Sequence, residues 1–593
     1  MNNTLTSFLL DHIEKTGLDY ASFFTKEDDE YIPFSNSLLI KQISALISYF
    51  NKLNLKPGDK VAIIAENRNE WAVTDFACMF CRLVSVPVYT SLSASQIKYI
   101  LGNSDSKVCF LSNLHLLDKV SRIREELPAL KEIIIFRDID TSKFDTDKTI
   151  RYSELMDAGK NNGEEFILNQ LRSLSLEIVN PDLVTIVYTS GTTGNPKGVM
   201  LTHNNYCSNV NACQKILSIN SEDRFLSYLP FSHSYERTAG YYLALFCGAK
   251  IYFAQSFETI PAQLTEVKPT LVITVPRLLD KFYNRIIKTG TDMDEGIGKK
   301  IFNFAIDSAH KKSFPKNSLK WKLANALVYK KLREKTGGKI RYFISGGGAL
   351  NKQIGEFFEF TGITILEGYG MTETSPVISV NPPSNNKYGT VGKPISGVSV
   401  KLTNENEIIV SGDLVMKGYF NDEMSTAETI KDGWLHTGDI GEIDPDGYIK
   451  ITDRKKSLIK TSGGKYIAPA HIEDIIGGLN YVENVMIIGN ERMYVTALIV
   501  PDRDQLAELA KTNNLEYHLY SDLIKNKVIN ELIRKDIDRL QSDLAPYEKI
   551  KKFTLLEIHF TIEGGELTPT MKVKRKFVEE RFKDEIERMY PKI

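Results

Sequence analysis

The chain has 593 residues, 42% hydrophobic and 25% charged, the balance of a soluble globular protein long enough for several lobes. Lys and Arg number 74 against 75 Asp and Glu, and a net charge of −1 gives no global basis for nucleic-acid binding. Six cysteines are too few for a disulfide scaffold, the first residues lack the basic and apolar regions of an export signal, and no apolar run approaches bilayer-spanning length. The expectation is a cytoplasmic protein, with peripheral contact at the inner membrane surface left open.

Taken in order, residues 1–60 carry amphipathic helix patterns that end at the turn Lys56-Pro-Gly-Asp59. Val61–Ala65 reads as a buried strand, and Trp71–Leu83 as a helix whose Cys78 and Cys81 suit core packing better than metal or redox work. Val84–Tyr89 predicts a strand, Ala94–Leu101 a helix and Lys107–Leu111 another strand. Ile133–Phe136, Leu271–Val275 and Tyr342–Ser345 continue the alternation, which predicts an α/β fold with parallel sheets. After about residue 385, Gly and Pro turns separate short strands, as in a small β-barrel-like lobe. The charged stretch Asp453-Arg-Lys-Lys456 lies between two strand-like segments and reads as a linker. Beyond it, an α+β domain with a hairpin at Val482–Gly489 and Met493–Val500 is expected. The predicted division is therefore 1–452, a hinge at 453–456, and 457–593.

The densest motif is Tyr188-Thr-Ser-Gly-Thr-Thr-Gly-Asn-Pro-Lys-Gly-Val199. Val184, Ile186 and Val187 predict a strand before it, and Thr202 is an N-cap candidate for a helix near His203, so the expected order is strand, glycine-rich turn, helix. Thr189, Ser190, Thr192 and Thr193 supply hydroxyl donors among Gly191 and Gly194, whose backbone can approach an anion, and Lys197 adds a point charge. A Walker A loop would place Ser or Thr after the lysine, but Gly198 stands there. The loop is expected to hold phosphate by another arrangement.

A second motif, Glu367-Gly-Tyr-Gly-Met-Thr-Glu-Thr374, follows the strand candidate Ile363–Leu366. Tyr369 offers a face for a purine, with Gly368 and Gly370 leaving room. Thr372, after Met371, offers a hydroxyl for phosphate, and Glu373 a hard carboxylate for Mg²⁺. Together the two motifs resemble the signatures of the adenylate-forming, AMP-binding enzyme superfamily, and the resemblance runs from about residue 30 to 580. Leu229-Pro-Phe-Ser-His-Ser-Tyr-Glu-Arg237, Val275-Pro-Arg-Leu-Leu279 and Gly464-Lys-Tyr-Ile-Ala-Pro469 narrow it to the long-chain fatty acyl-CoA synthetase branch.

That resemblance implies an ATP-dependent fatty acid–CoA ligase acting through an acyl-adenylate, with Mg²⁺ as cofactor and ATP and CoA as co-substrates. Another carboxylate, or an acyl-carrier protein as acceptor, stays as the alternative. It implies that Gly346, Gly347 and Gly348 flank adenine and acyl group, although many members have proline where this chain has Ala349. Asp439 would accept from the ribose hydroxyls, with Arg454 as the matching donor. His233, Tyr235, Tyr241 and Val275 would line the acyl site, and Gly463, Gly464 and Lys465 the thiol-entry side. Lys456 would be the pivot of a mobile C-terminal domain. Thr192, Glu373 and Lys572 are the implied catalytic residues. Lys572 comes from aligning Met571-Lys572-x-x-Arg575 with the family's Gly-Lys-x-x-Arg; Met571 replaces the usual glycine, and Lys574 stands two residues on.

Overall fold

A computed structural model describes residues 3–137, 149–156, 163–189, 195–455, 458–462, 465–568 and 572–591. Two large sheets organise the first part. In one, the strands Leu183–Thr189, Val84–Val88, Lys60–Ile64, Ser106–Leu111, Glu132–Ile135 and Thr149–Arg151 run parallel. In the other, Ile365–Gly370, Tyr342–Ser345, Leu271–Thr274, Arg224–Ser227, Lys250–Phe253 and Ala21–Glu27 run parallel. The strands at the centre are continuous apolar runs because helices cover both faces. Val84–Val88 is buried at every position. The helix Asn69–Phe80 lies within the largest core cluster, and Cys78 is fully buried there.

Three local expectations change. Ala21–Glu27 and Glu30–Ser35 form an antiparallel hairpin where helix patterns were read. Phe23 and Phe34, paired across it, point into the core, so tertiary burial sets the local form. The glycine-rich loop does not lead directly into a helix. It connects Leu183–Thr189 to an antiparallel strand, Lys197–Thr202, whose Val199 and Leu201 are buried, and the helix His203–Leu217 follows. Thr202 caps that helix as expected, accepting from the Asn205 amide. Finally, Asp453 and Arg454 are not free linker: they complete the strand Ile449–Arg454, with Arg454 in register opposite Asp439.

The β-rich lobe is an antiparallel sheet built on Trp434–Ile443, packed over Ile378, Ile408, Val410 and Ile449. Tyr369 belongs to this same cluster, which ties the second motif to the lobe. The C-terminal part has its own cores around the sheet Val482–Ile488, Thr496–Pro501 and Lys552–Leu555. Among the described residues no helix is long and apolar enough to cross a membrane.

The N-terminal helix Leu5–Thr16 is tied to the helix behind the glycine-rich loop: the Leu5 amide donates to His203 Nδ1 at 3.1 Å. His203 is buried, and burial lowers its pKa to about 4. Between that value and about 6.5 the unfolded chain holds the proton and the folded chain does not, so stability falls with decreasing pH. His203→Gln removes this titration. We expect the stability of the variant relative to wild type to improve by about 2 kcal/mol between pH 7 and pH 5. Parallel unfolding midpoints for the two proteins across that range would contradict the assignment.

Candidate active site

The first half of the site lies at the carboxyl ends of parallel strands, where open α/β sheets bind ligands. Register places Thr274 beside Ser345 and Ser345 beside Glu367. Gly346, Gly347 and Gly348 therefore leave the sheet between Val275 and Glu367. Gly347 has φ +77°, a conformation that favours glycine. A Cβ on Gly346 would sit 2.9 Å from the Tyr235 ring, so Gly346 and Tyr235 occupy adjoining space. Tyr235 is fixed at its far end by donating to the Ile344 carbonyl at 2.7 Å, and its amide donates to His233 Nδ1 at 3.1 Å. Burial pushes Glu367 up to about 7, opposed by the Leu350 and Gly389 amides.

The nucleotide half is built across the join with the β-rich lobe. The Tyr369 hydroxyl donates to Asp439 Oδ2 at 2.7 Å, and Arg454 Nε approaches Asp439 Oδ1 at 3.0 Å. Both Tyr369 and Asp439 are buried. Gly370 has no alternative, since a Cβ there would lie 1.8 Å from the Pro376 carbonyl oxygen. Thr372 Oγ1 is 3.1 Å from Ser234 Oγ, which joins the second motif to the segment carrying His233 and Tyr235. Glu373 is buried and accepts from the Tyr419 hydroxyl at 2.9 Å. Burial raises its pKa, with backbone and Tyr419 hydrogen bonds opposing. Lys197 reaches the same corner: its Nζ donates to Ser425 Oγ at 2.5 Å and lies 5.0 Å from the Tyr419 ring centre.

Lys572 enters from the C-terminal part. Leu567 and Val573 form a β-bridge, and backbone and hydroxyl bonds between Thr568 and Lys572 close the hairpin between them. Enclosure by protein lowers the pKa of Lys572, the Arg454 charge lowers it further, and Asp439 opposes. The same ammonium adds to the burial that lowers His233 to about 4. Lys572 is thus within electrostatic reach of His233, Asp439 and Arg454, although its surface stays open to the cleft solvent. Arg575 does not enter the site. It pairs with Glu473 at 2.5 Å and donates to the Ile487 carbonyl, holding the base of the hairpin.

Residues 190–194, which include Ser190, Gly191, Thr192, Thr193 and Gly194, lie outside the described residues, as do Lys456, Gly463 and Gly464. Their flanks are placed: Thr189 pairs in register with Lys197, so the loop closes a hairpin. Lys465 is exposed, with its amide 3.2 Å from Thr461 Oγ1. Tyr241 sits in the aromatic core, stacked on Phe231 at 4.7 Å and edge-on to Trp71, apart from the open site. Ser234, Tyr419 and Ser425 were missed as site residues. Their partners are 138, 46 and 228 positions away; Ser234 lies between His233 and Tyr235 in a motif already singled out, which could have found it, whereas no local pattern marks Tyr419 or Ser425. The described residues hold no cluster of three His, Cys, Asp or Glu that could alone bind a metal.

The AMP-binding enzyme family matches residues 13–420, and the family of AMP-binding enzyme C-terminal domains matches 456–593. The long-chain-fatty-acid–CoA ligase FadD15 of Mycobacterium bovis is 31% identical over 602 aligned positions, covering 100% of this chain and 98% of that protein. Long-chain-fatty-acid–CoA ligase 5 of Mus musculus is 34% identical, covering 93% of this chain and 84% of that protein. Among solved structures, the anthranilate CoA ligase AuaEII in complex with anthranoyl-AMP superposes with TM-score 0.74 at 17% identity, covering 98% of both chains. ATP-bound MatB from Rhodopseudomonas palustris gives TM-score 0.71 at 23% identity, covering 98% of this chain and 99% of that one. The two motifs, the sheet ends that carry them and the two matched regions agree: the chain belongs to the AMP-binding, adenylate-forming enzyme family.

Proposed function

We propose that the protein is an ATP-dependent long-chain fatty acid–CoA ligase. In the first step a fatty carboxylate oxygen attacks the α-phosphorus of ATP and pyrophosphate leaves, giving the acyl-adenylate. In the second the CoA sulfur attacks the acyl carbon, the thiol proton is released and AMP leaves. The observation that carries this reading is the convergence of Tyr369, Asp439, Arg454 and Lys572 from three parts of the chain onto one cleft. Carboxylate and triphosphate repel, and a cation between them lowers the barrier as charge shifts onto the bridging oxygens. Lys572, in electrostatic reach of Asp439 and Arg454, would supply the ammonium for that task. Asp439 is the acceptor for the ribose hydroxyls, and Tyr369 the face for adenine.

Glu373 suits Mg²⁺, since a single carboxylate with phosphate oxygens and waters is a usual magnesium environment. When bound, the ion neutralises phosphate charge. Residues 190–194 and Lys197 would hold the phosphates, with Thr192 in a catalytic position. Val275, Gly346, Tyr235 and His233 would bound the acyl chain, with Tyr241 supporting them from the core. Gly463, Gly464 and Lys465 would face CoA after the C-terminal domain, 457–593, turns about Lys456; of the expected 453–456 hinge, Asp453 and Arg454 are paired in the strand Ile449–Arg454 of domain 1–452, so the turn would fall at Lys456. The reaction belongs in the cytoplasm, with both nucleotide and CoA at hand. The fatty-acid reading is supported by the relatives' names; CoA as acceptor rather than a carrier protein rests on the same comparison.

Lys572→Ala should slow acyl-adenylate formation by about 10²–10³-fold, the size of one lost transition-state contact. Thioester formation from supplied acyl-adenylate and CoA should stay near wild type, and Lys574→Ala should be mild in both steps. Equal loss of both half-reactions in Lys572→Ala would contradict this division of labour. Asp439→Asn should raise the KM for ATP by roughly 10- to 100-fold, the range for a hydrogen bond to a charged acceptor. An unchanged ATP KM would move the ribose elsewhere. Glu373→Gln should shift the magnesium titration of pyrophosphate release to higher concentration while the thermal midpoint holds. A superimposable titration would place the ion on other groups.

A further inference from the structure

One surface is left over by the site and by the core. The helix Ile297–Lys311 and the helical run 319–334 pack together beside the helix Lys352–Thr361, in the core cluster that includes Val272, Phe343 and Ile365 of the second large sheet. The run 319–334 is apolar on two faces. Trp321, Ala324, Val328 and Leu332 are buried against the core. Leu319, Leu323 and Leu327 stand four residues apart on the other side, with Leu319 86% and Leu323 62% exposed. Core packing needs the first face only. The π-helical turn Asn325–Tyr329 advances less per residue than an α-turn, which brings Leu327 back into line with Leu319 and Leu323.

The neighbouring helix repeats the pattern. Ile297, Lys300, Phe304 and Lys311 share its exposed face by helical spacing, and Ile297 is 79% exposed. Phe304 stacks on Phe314 in the connecting segment, joining the two helices into one patch. A hollow of about 500 Å³ between Lys312, Phe314, Lys316 and Phe360 borders it.

The charge is as lopsided as the hydropathy. From Ile297 to Lys335 the sequence carries ten lysines and one arginine against Asp307 and Glu334, in a chain whose net charge is −1. Lys299, Lys312 and Lys316 pair with Glu295, Glu356 and Glu359. Lys300, Lys311, Lys320 and Lys322 are exposed and have no ion-pair partner among the described residues. Exposed leucines in line, flanked by unpaired lysines, fit a surface that is negative at its rim and apolar beneath. A protein partner would have to supply both features in one flat patch. A lipid bilayer with anionic headgroups supplies them everywhere on its surface.

We propose that the face formed by Ile297–Lys311 and residues 319–334 docks on an anionic lipid bilayer, with Leu319, Leu323 and Phe304 entering the headgroup boundary and the lysines meeting lipid phosphates. The docking does not rest on the proposed reaction; only its use, taking a fatty substrate from the bilayer, does. The test is co-sedimentation of the full chain with vesicles of phosphatidylcholine alone or mixed with phosphatidylglycerol. Wild type should bind the mixed vesicles, bind the neutral ones at least tenfold less, and release as salt rises. Leu319→Asp with Leu323→Asp should lower binding at least tenfold, as should Lys300→Glu, Lys311→Glu, Lys320→Glu and Lys322→Glu combined. Both variants should keep wild-type ligation of dispersed fatty acid, which checks folding separately. Absence of wild-type binding, equal binding to neutral vesicles, or retention by either variant would overturn the proposal. So would concentration-dependent self-association abolished by the leucine changes without vesicle binding. If the dispersed-acid assay fails with every fatty acid while vesicle binding behaves as stated, the proposed reaction falls and the docking surface stands.

Discussion

The site depends on one buried carboxylate. Asp439 lies in the strand Trp434–Ile443 and meets three groups from different parts of the chain: Tyr369 from the sheet motif, Arg454 from the adjoining strand, and the field of Lys572 from the C-terminal hairpin. A buried carboxylate needs partners because desolvation of the charged form is costly. Here Tyr369 and Arg454 meet that need before any ligand arrives, and they also fix where a ribose and a base could lie. The lobe bearing Asp439 shares its hydrophobic cluster with Tyr369, so the geometry is set by packing as well as by charge.

The cation is handled in the opposite way. Lys572 stands on a short hairpin whose base is clamped by the Arg575–Glu473 pair, in a part of the chain with separate cores. A charge placed on a separately folded unit can be presented to the site and withdrawn without disturbing the core beneath it. Protein around the ammonium lowers its pKa, the neighbouring Arg454 charge lowers it further, and Asp439 opposes both. The two arrangements, a carboxylate held by Tyr369 and Arg454 and a cation carried on the C-terminal hairpin, suit the proposed reaction, which must first bring two anions together and then proceed without that help.

Much of this was legible in the sequence, because the chemistry sits in dense local strings. Glu367 to Thr374 supplies four of the placed groups within eight positions, although the strand expected to stop at Leu366 spans Ile365–Gly370 and so carries the first half of the motif. The spacing of glycines also carried over: Gly346 and Gly370 stand where a Cβ would collide with Tyr235 or the Pro376 carbonyl. What stayed hidden is tertiary. Tyr419 and Ser234 hold Glu373 and Thr372 across long separations; nothing nearby in sequence marks Tyr419, and Ser234 is marked only by its place between His233 and Tyr235. Lys197–Thr202 was missed as a strand because it is short and leads straight into the Thr202 cap, so the stronger helix signal masked it. Tyr241 is buried against Phe231 and Trp71, a packing that its place in the sequence beside the motif did not show.

The account turns on adenylation preceding any involvement of the thiol. Exchange of labelled pyrophosphate into ATP by the full-length protein, with palmitate and Mg²⁺ present and CoA absent, tests that directly. The account predicts exchange that requires the fatty acid and proceeds without CoA. Exchange that appears only when CoA is added, or release of ADP and phosphate in place of AMP and pyrophosphate, would contradict it.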